Sequence, residues 1–216
     1  MHVFIAGGSG QTGSLAIENL IEQGHTVTAL VRNPSIVSSK AGLDLIQGTP
    51  VNRADIEKCF ARRLPNAVIV TLTPAKGVFE DGSSFIAHVT QNIVQVMQQF
   101  GTSKIVYLCA FGVGKSYSNL NFLLRGAVCA TPLGTKFAGH EEAEKLIKKA
   151  TGIRSVIVKP AMLKNGEPKQ VEYLGEAGEK ASFMPSITRA SVAKFMVEAL
   201  TSEEWDGKSP VIANVQ

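Results

Sequence analysis

VFIAGGSGQTGSLAIENL, residues 3–20, is an apolar run that breaks into glycines and then resumes with apolar residues at helical spacing. Gly7, Gly10 and Gly13 stand in the order GxxGxxG, directly after a strand-like run (HVFIA) and directly before a helix-like one. Glycine allows a tight turn and lets backbone N–H groups come close to a pyrophosphate, while a helix that opens there adds unpaired donors and the positive end of its dipole. Gly13 removes a side chain where the helix must pack close to the strand. Strand, spacing and helix fall inside a βαβ unit of about 30 residues, the context that gives this pattern its meaning.

Outward from that turn, short β-rich runs alternate with amphipathic segments. HTVTALV (25–31), LDLI (43–46), AVIVTL (67–72), KIVYLC (104–109) and RSVIVKP (154–160) are continuous and apolar, as strands covered by helices on both faces are. Between them SLAIENLIEQG ends on Gly24, a C-cap signal, and RADIEKCFARRL, SSFIAHVTQNIVQVMQQFG and HEEAEKLIKKATG carry i, i+3, i+4 apolar spacing. RASVAKFMVEALTSEE and the short run PVIA close the chain. The pattern predicts an α/β fold, a Rossmann-type doubly wound parallel sheet flanked by helices, in one domain over 1–216. From 164 to 188 the pattern loosens into a polar, Gly-rich stretch with no long helix. That stretch and 115–132 are expected on the substrate side.

Composition excludes several classes. In 216 residues, 22 Lys and Arg against 18 Asp and Glu give a net charge of +4, and no basic run exceeds two residues. Nucleic-acid and membrane-surface patches look different, and anionic cofactor phosphates are a sufficient partner. Three cysteines, Cys59, Cys109 and Cys129, without a CxxC form neither a disulfide framework nor a zinc site. With no membrane-length apolar run and no leader-like start, the expectation is a cytoplasmic protein with a small-molecule substrate and no metal. The pattern is silent on oligomeric state.

The end of the second strand bears on the cofactor. A carboxylate there would hold a ribose 2′-OH, but ALVRNP has Arg32 in that place, and no acidic residue occurs between Glu22 and Asp44. A guanidinium suits a 2′-phosphate, so NADP(H) is expected.

With these residues in hand, the chain resembles the atypical short-chain dehydrogenases/reductases, the group with NmrA-like proteins and biliverdin reductase B. The likeness rests on VFIAGGSGQTG, TALVRNP, IVYLCAFGVG, HEEAEKLIKKATGIRSVIVKPAML and ITRASVAKFMVEAL, and covers nearly the whole chain. It implies further cofactor contacts from Ser9, Gln11 and Thr12 in the first turn, from Thr73 and Pro74 after the fourth strand, and from Pro160 and Ala161 beside the nicotinamide.

The chain departs from that group at the chemistry. Cys109 stands where the group commonly has Ser or Thr, and the Tyr-x-x-x-Lys dyad reads Lys136-Phe-Ala-Gly-His140. Tyr107, Tyr117 and Tyr173 do not fit the missing tyrosine. The candidate replacements are His140 as a general acid, Lys136 as a point charge or titrating group, and Cys109 as a weak donor or thiolate. Each has a plainer reading, as a solvent-facing residue of the first helical turn, a surface charge and a small apolar strand end. Phe111, Phe122, Leu123, Leu124, Met162 and Leu163 are candidate substrate-facing residues. The leading expectation is an NADP(H)-dependent reductase of a small apolar or aromatic acceptor such as a quinone, flavin or ketone. The alternatives are a non-enzymatic NADP(H) redox sensor and a redox-neutral isomerase or dehydratase.

Overall fold

A computed structural model describes residues 1–73 and 82–215. Its elements follow the chain as β1 (His2–Ala6), α1 (Gln11–Glu22), β2 (Thr26–Val31), β3 (Leu43–Gln47), α2 (Arg53–Arg62), β4 (Ala67–Val70), α3 (Gly82–Phe100), β5 (Lys104–Leu108), α4 (Phe122–Ala130), α5 (Leu133–Lys149), β6 (Arg154–Pro160), β7 (Met162–Lys164), β8 (Val171–Tyr173), β9 (Ser186–Thr188), α6 (Arg189–Thr201) and β10 (Val211–Asn214). The main sheet runs β3-β2-β1-β4-β5-β6-β10-β8, and β7 with β9 forms a second, two-stranded piece. All pairings in the main sheet are parallel except that of β8 with β10. This is the expected Rossmann-like α/β fold.

The parallel strands are buried on both faces, which is why their sequences run apolar without alternation. In β1, Val3 and Ile5 enter one core with residues of α1 and α6, while Phe4 and Ala6 enter the other with residues of α2, α3 and α5. Successive side chains of a strand point to opposite faces, so one five-residue strand serves both layers. Helix α1 stops as its glycine predicts. Gly24 takes φ +76°, the Gly24 N–H donates to Ile21 O, and the His25 N–H donates to Leu20 O, the paired bonds of a Schellman C-cap.

Three features depart from the sequence reading. Helix α5 begins at Leu133, two turns before His140, so His140 is a mid-helix residue and not part of a first turn. Helix α4 occupies part of 115–132. The stretch 164–188 contains the edge strand β8, and strands of three residues are too short to display a period of two.

Strand order reverses between β1 and β4. In open parallel sheets the crevice at the carboxyl ends of the strands around such a reversal is the place where ligands bind.

Candidate functional site

The turn after β1 leaves no space for side chains. Gly7 has φ +97°, and a Cβ on it would lie 2.7 Å from the backbone carbonyl of Thr71, just past β4. A Cβ on Gly13 would lie 2.2 Å from Gly7 O. That oxygen accepts from the Gly10 N–H at 3.0 Å and from the Thr71 hydroxyl at 3.1 Å, so the turn is locked to both strands. Helix α1 starts at Gln11 with no side-chain cap on Gly10 and no acidic residue in its first turn. Its first N–H groups are therefore open to an anion, as the sequence pattern requires. Thr12 and Gly13 are buried, whereas Ser9, Gly10 and Gln11 are exposed at the rim.

One cleft, of about 140 Å³, gathers Gly7, Ser9, Gly10, Arg32 and Thr73 from the expected set. Pro74 lies outside the described residues. Arg32 is exposed and has no ion pair among the described residues; its backbone carbonyl accepts from the Gln47 side chain at 3.4 Å. The sequence reading missed the opposite wall, made by Gly48, Thr49 and Pro50 after β3 with Leu72 and Phe85.

That wall is held by buried polar groups. The Asp55 carboxylate accepts from the Thr49 N–H at 3.1 Å, and this bond, followed by the Lys58 ammonium, lowers its pKa. From α3, the Asn92 amide donates to Pro50 O at 3.1 Å and to Val51 O at 2.9 Å. A Cβ on Gly48 would fall 2.8 Å from the Asp55 side chain, so a glycine directly after a strand was the available signal.

The other end of the edge holds the remaining candidates. Pro160 closes β6 and accepts from the Phe111 N–H at 3.0 Å, and Ala161 is buried with its N–H donating to Ile212 O. Both lie on the strands' carboxyl edge, outside the cleft of Gly7 and Arg32. Cys109 directly follows β5 and is 5% exposed. Burial pushes its thiol up to about 12, more than the nearby Lys159 can offset, so the thiolate reading is corrected to a neutral thiol.

His140 accepts a second correction. Its Nδ1 lies 2.7 Å from the hydroxyl of Tyr107, a residue 1% exposed near the end of β5. Burial, and then the charge of Lys136, lower the imidazole to about 4. At neutral pH the ring is uncharged, and it cannot serve as the general acid that its ordinary pKa suggests. Lys136, one turn earlier on α5, is exposed with no ion pair among the described residues. The tyrosine that the dyad count discarded is thus the partner of its histidine.

A second buried network stands behind this end. Lys159 of β6 is 1% exposed; its ammonium donates to Val113 O at 3.0 Å and pairs with Glu144 Oε2 at 2.8 Å. Glu144 Oε1 also pairs with Lys148 at 2.6 Å. Burial alone would raise the Glu144 carboxyl, but the two lysines outweigh it and hold it below its usual range. The network ties the loop after β5 to α5 and β6.

Three comparisons bear on this geometry. The family model described as NAD(P)H-binding matches residues 7–203, from the first glycine of the turn to just past α6. The chain belongs to the NAD(P)H-binding family. An uncharacterised chloroplastic protein of Arabidopsis thaliana is 29% identical over 213 residues, covering 94% of this chain and 72% of that one. Among solved structures, the oxidoreductase ylbE from Lactococcus lactis has a TM-score of 0.82 at 15% identity, covering 100% of this chain and 92% of that one. ChuY, an anaerobilin reductase from Escherichia coli O157:H7, has a TM-score of 0.80 at 15% identity, covering 99% and 97%. These likenesses are to the fold.

Another part of the surface is exposed and apolar. Phe122 and Leu123 of α4, Met162, Phe183 and Met184 are all exposed, and the rings of Phe122 and Phe183 sit 6.3 Å apart. The Asn121 amide donates to Phe183 O and reaches Met184 Sδ at 3.5 Å, while the Met162 N–H donates to Pro185 O, so the pieces form one surface. Leu124 and Leu163 are half-buried. Phe111 is 7% exposed and packs on Gly178, where a Cβ would meet its ring at 2.5 Å; it is corrected to a core residue. The described residues contain no His/Cys/Asp/Glu cluster suited to a metal and no helix long and apolar enough to cross a membrane.

Proposed function

We propose that the chain is an NADP(H)-dependent reductase of a small apolar or aromatic acceptor, such as a quinone, flavin or ketone. The observation that carries this reading is Arg32, a guanidinium without an ion pair among the described residues, at the rim of a glycine-turn cleft with no carboxylate at the end of β2. The cleft fits the cofactor, since Gly7 and Gly13 leave the turn bare of side chains and α1 opens with unpaired donors.

In this reading the turn and the first N–H groups of α1 hold the pyrophosphate, and Arg32 holds the 2′-phosphate. Leu72, Phe85 and the clamped wall 48–50 bound the adenosine end. When bound, the cofactor supplies the hydride. The loop after β5 and the turn at Pro160–Ala161 border the nicotinamide end, and Phe122, Met162 and Phe183 offer an apolar face to the acceptor. With His140 neutral and Cys109 an unionised thiol, water delivers the proton. This favours acceptors whose reduction needs no strong protein acid.

A non-enzymatic redox sensor keeps some support from that same lack of an acid. The redox-neutral alternative has less, because it needs His140 to titrate near neutrality. Calorimetric titration with NADPH, NADP⁺ and NADH, followed by NADPH-oxidation assays against quinones, flavins and ketones, tests the reading. Preference for both NADP forms with turnover supports it. Selective binding of one redox form without turnover points to the sensor, and no binding removes both.

A further inference from the structure

Helix α4 is apolar on both sides. Its inner side is fixed by Val128, buried in the core, and by Leu124, which packs against that core. A surface helix anchored this way ordinarily turns charged or polar residues to water. In FLLRGAVCA the outward residues of the first turn are instead Phe122 and Leu123, 73% and 53% exposed, and Arg125 is the helix's one charge. The face continues onto two other segments. Phe183 and Met184 join it through the Phe122 ring and the Asn121 amide, and Met162 joins through the pairing of β7 with β9.

The charges on these segments have one sign. Residues 115–136, 162–164 and 180–189 carry Lys115, Arg125, Lys136, Lys164, Lys180 and Arg189 and no aspartate or glutamate. None of the six has an ion pair among the described residues, whereas Lys145, Lys148 and Lys159 of the neighbouring elements do. Without those six cations the chain's net charge would be −2 and not +4, so its basic excess sits on the segments of the apolar face. Arg125 follows Phe122 by one helical turn, and its guanidinium lies over the exposed Tyr117 ring, 5.7 Å from the centroid. Met162 and Lys164 are both exposed and share one face of β7, whose side chains alternate with a period of two.

We propose that this face docks on an anionic lipid surface. Phe122, Leu123, Met162, Phe183 and Met184 enter the boundary of headgroups and acyl chains, and the unpaired cations meet lipid phosphates. A second copy of the chain fits the face worse, because a pairing of two such faces sets like charges against each other. No basic run marks the surface in the sequence, since its cations arrive singly from three segments. The inference goes beyond the cofactor reading and stands without it. Under that reading, an apolar acceptor dissolved in lipid reaches the face from the bilayer.

The test is co-sedimentation of the full chain, without nucleotide, with vesicles of phosphatidylcholine alone or with about one third phosphatidylglycerol. The expected result is binding to the anionic vesicles, at least about tenfold weaker binding to the neutral ones, and release near 0.5 M salt. Phe122→Ser with Phe183→Ser, and separately Arg125→Glu with Lys180→Glu, should each weaken binding by about tenfold or more. Arg63→Glu with Lys149→Glu, the same change of net charge at exposed residues of other elements, should leave it near wild type. Circular dichroism melts check that each variant folds, and the composition and salt arms need only the wild-type chain. No binding to either vesicle overturns the proposal, as does equal binding to both. So does wild-type binding by the folded phenylalanine variant, or an equal loss in both charge variants. A dimer that sedimentation velocity shows to need Phe122 and Phe183, in a chain that ignores vesicles, assigns the face to a second copy. Each of these failures leaves the cofactor reading standing, because that reading is tested by nucleotide binding.

Discussion

Gly13 and Arg32 do opposite things at one cleft, and each makes a separate prediction. A methyl group on Gly13 would lie 2.2 Å from the Gly7 carbonyl oxygen, which is backbone and already engaged by Gly10 and Thr71. Neither partner can give way cheaply, so Gly13→Ala should displace the turn and lower affinity for NADPH and NADH alike, by at least about tenfold. Arg32→Ala should leave NADH binding near its wild-type value and weaken NADPH by roughly 10–100-fold, the worth of a charge-assisted bond to phosphate. Calorimetry separates the two patterns, and equal losses of both cofactors in Arg32→Ala would sink the assignment of NADP(H). Gly7, Gly13 and Arg32 were readable because the turn is local in sequence. Tyr107 was not, because its partner lies 33 residues away on another element and nothing in a β-strand run marks a phenol as paired.

At the scale of elements, a buried charge joins β6 to α5 and to the loop after β5. Lys159 is nearly inaccessible, and its partners are one carboxylate and one carbonyl. Removing Glu144 alone leaves that ammonium buried with a neutral acceptor, and Glu144→Leu should cost about 3–5 kcal/mol. Replacing both, as Lys159→Met with Glu144→Leu, removes the uncompensated charge and should cost much less than the sum of the single changes. Urea unfolding at pH 7 of both single variants and the double variant gives the cycle directly, and additive losses would mean the pair is not coupled. The same contrast explains which elements were legible. Strands and helices with sustained apolar runs declared themselves, because a doubly covered sheet imposes that pattern on them. Helix α4, the two extra turns of α5 before His140, and the three-residue strands β7, β8 and β9 take their shape from tertiary contacts, such as the pairing of β8 with β10. Likewise the cleft wall at 48–50 is held from α2 and α3, by Asp55 and Asn92. A single glycine in the sequence stands for that whole arrangement.

For the molecule as a whole, the histidines and carboxylates with lowered pKa values agree on one direction of pH dependence. His140 falls from 6.5 to about 4 in the folded chain, and His2 and His25 are also lowered, in each case first by burial. Between the ordinary and folded values the unfolded chain binds protons that the native one refuses, so stability drops as pH falls from about 6.5 towards 4. Asp55 and Glu144, lowered from 3.8 and 4.5, lose their contribution only at more acid pH. The first acid loss therefore belongs to histidine. For His140 alone the loss at pH 5 is about 2 kcal/mol, from its folded value near 4 against 6.5 in the unfolded chain. Urea midpoints of wild type and His140→Gln at pH 7 and pH 5 test this, because the variant should lose about 2 kcal/mol less on acidification whatever its stability at pH 7. If both proteins lose the same amount, the imidazole is not held neutral. The account of a buried Tyr107–His140 pair then fails.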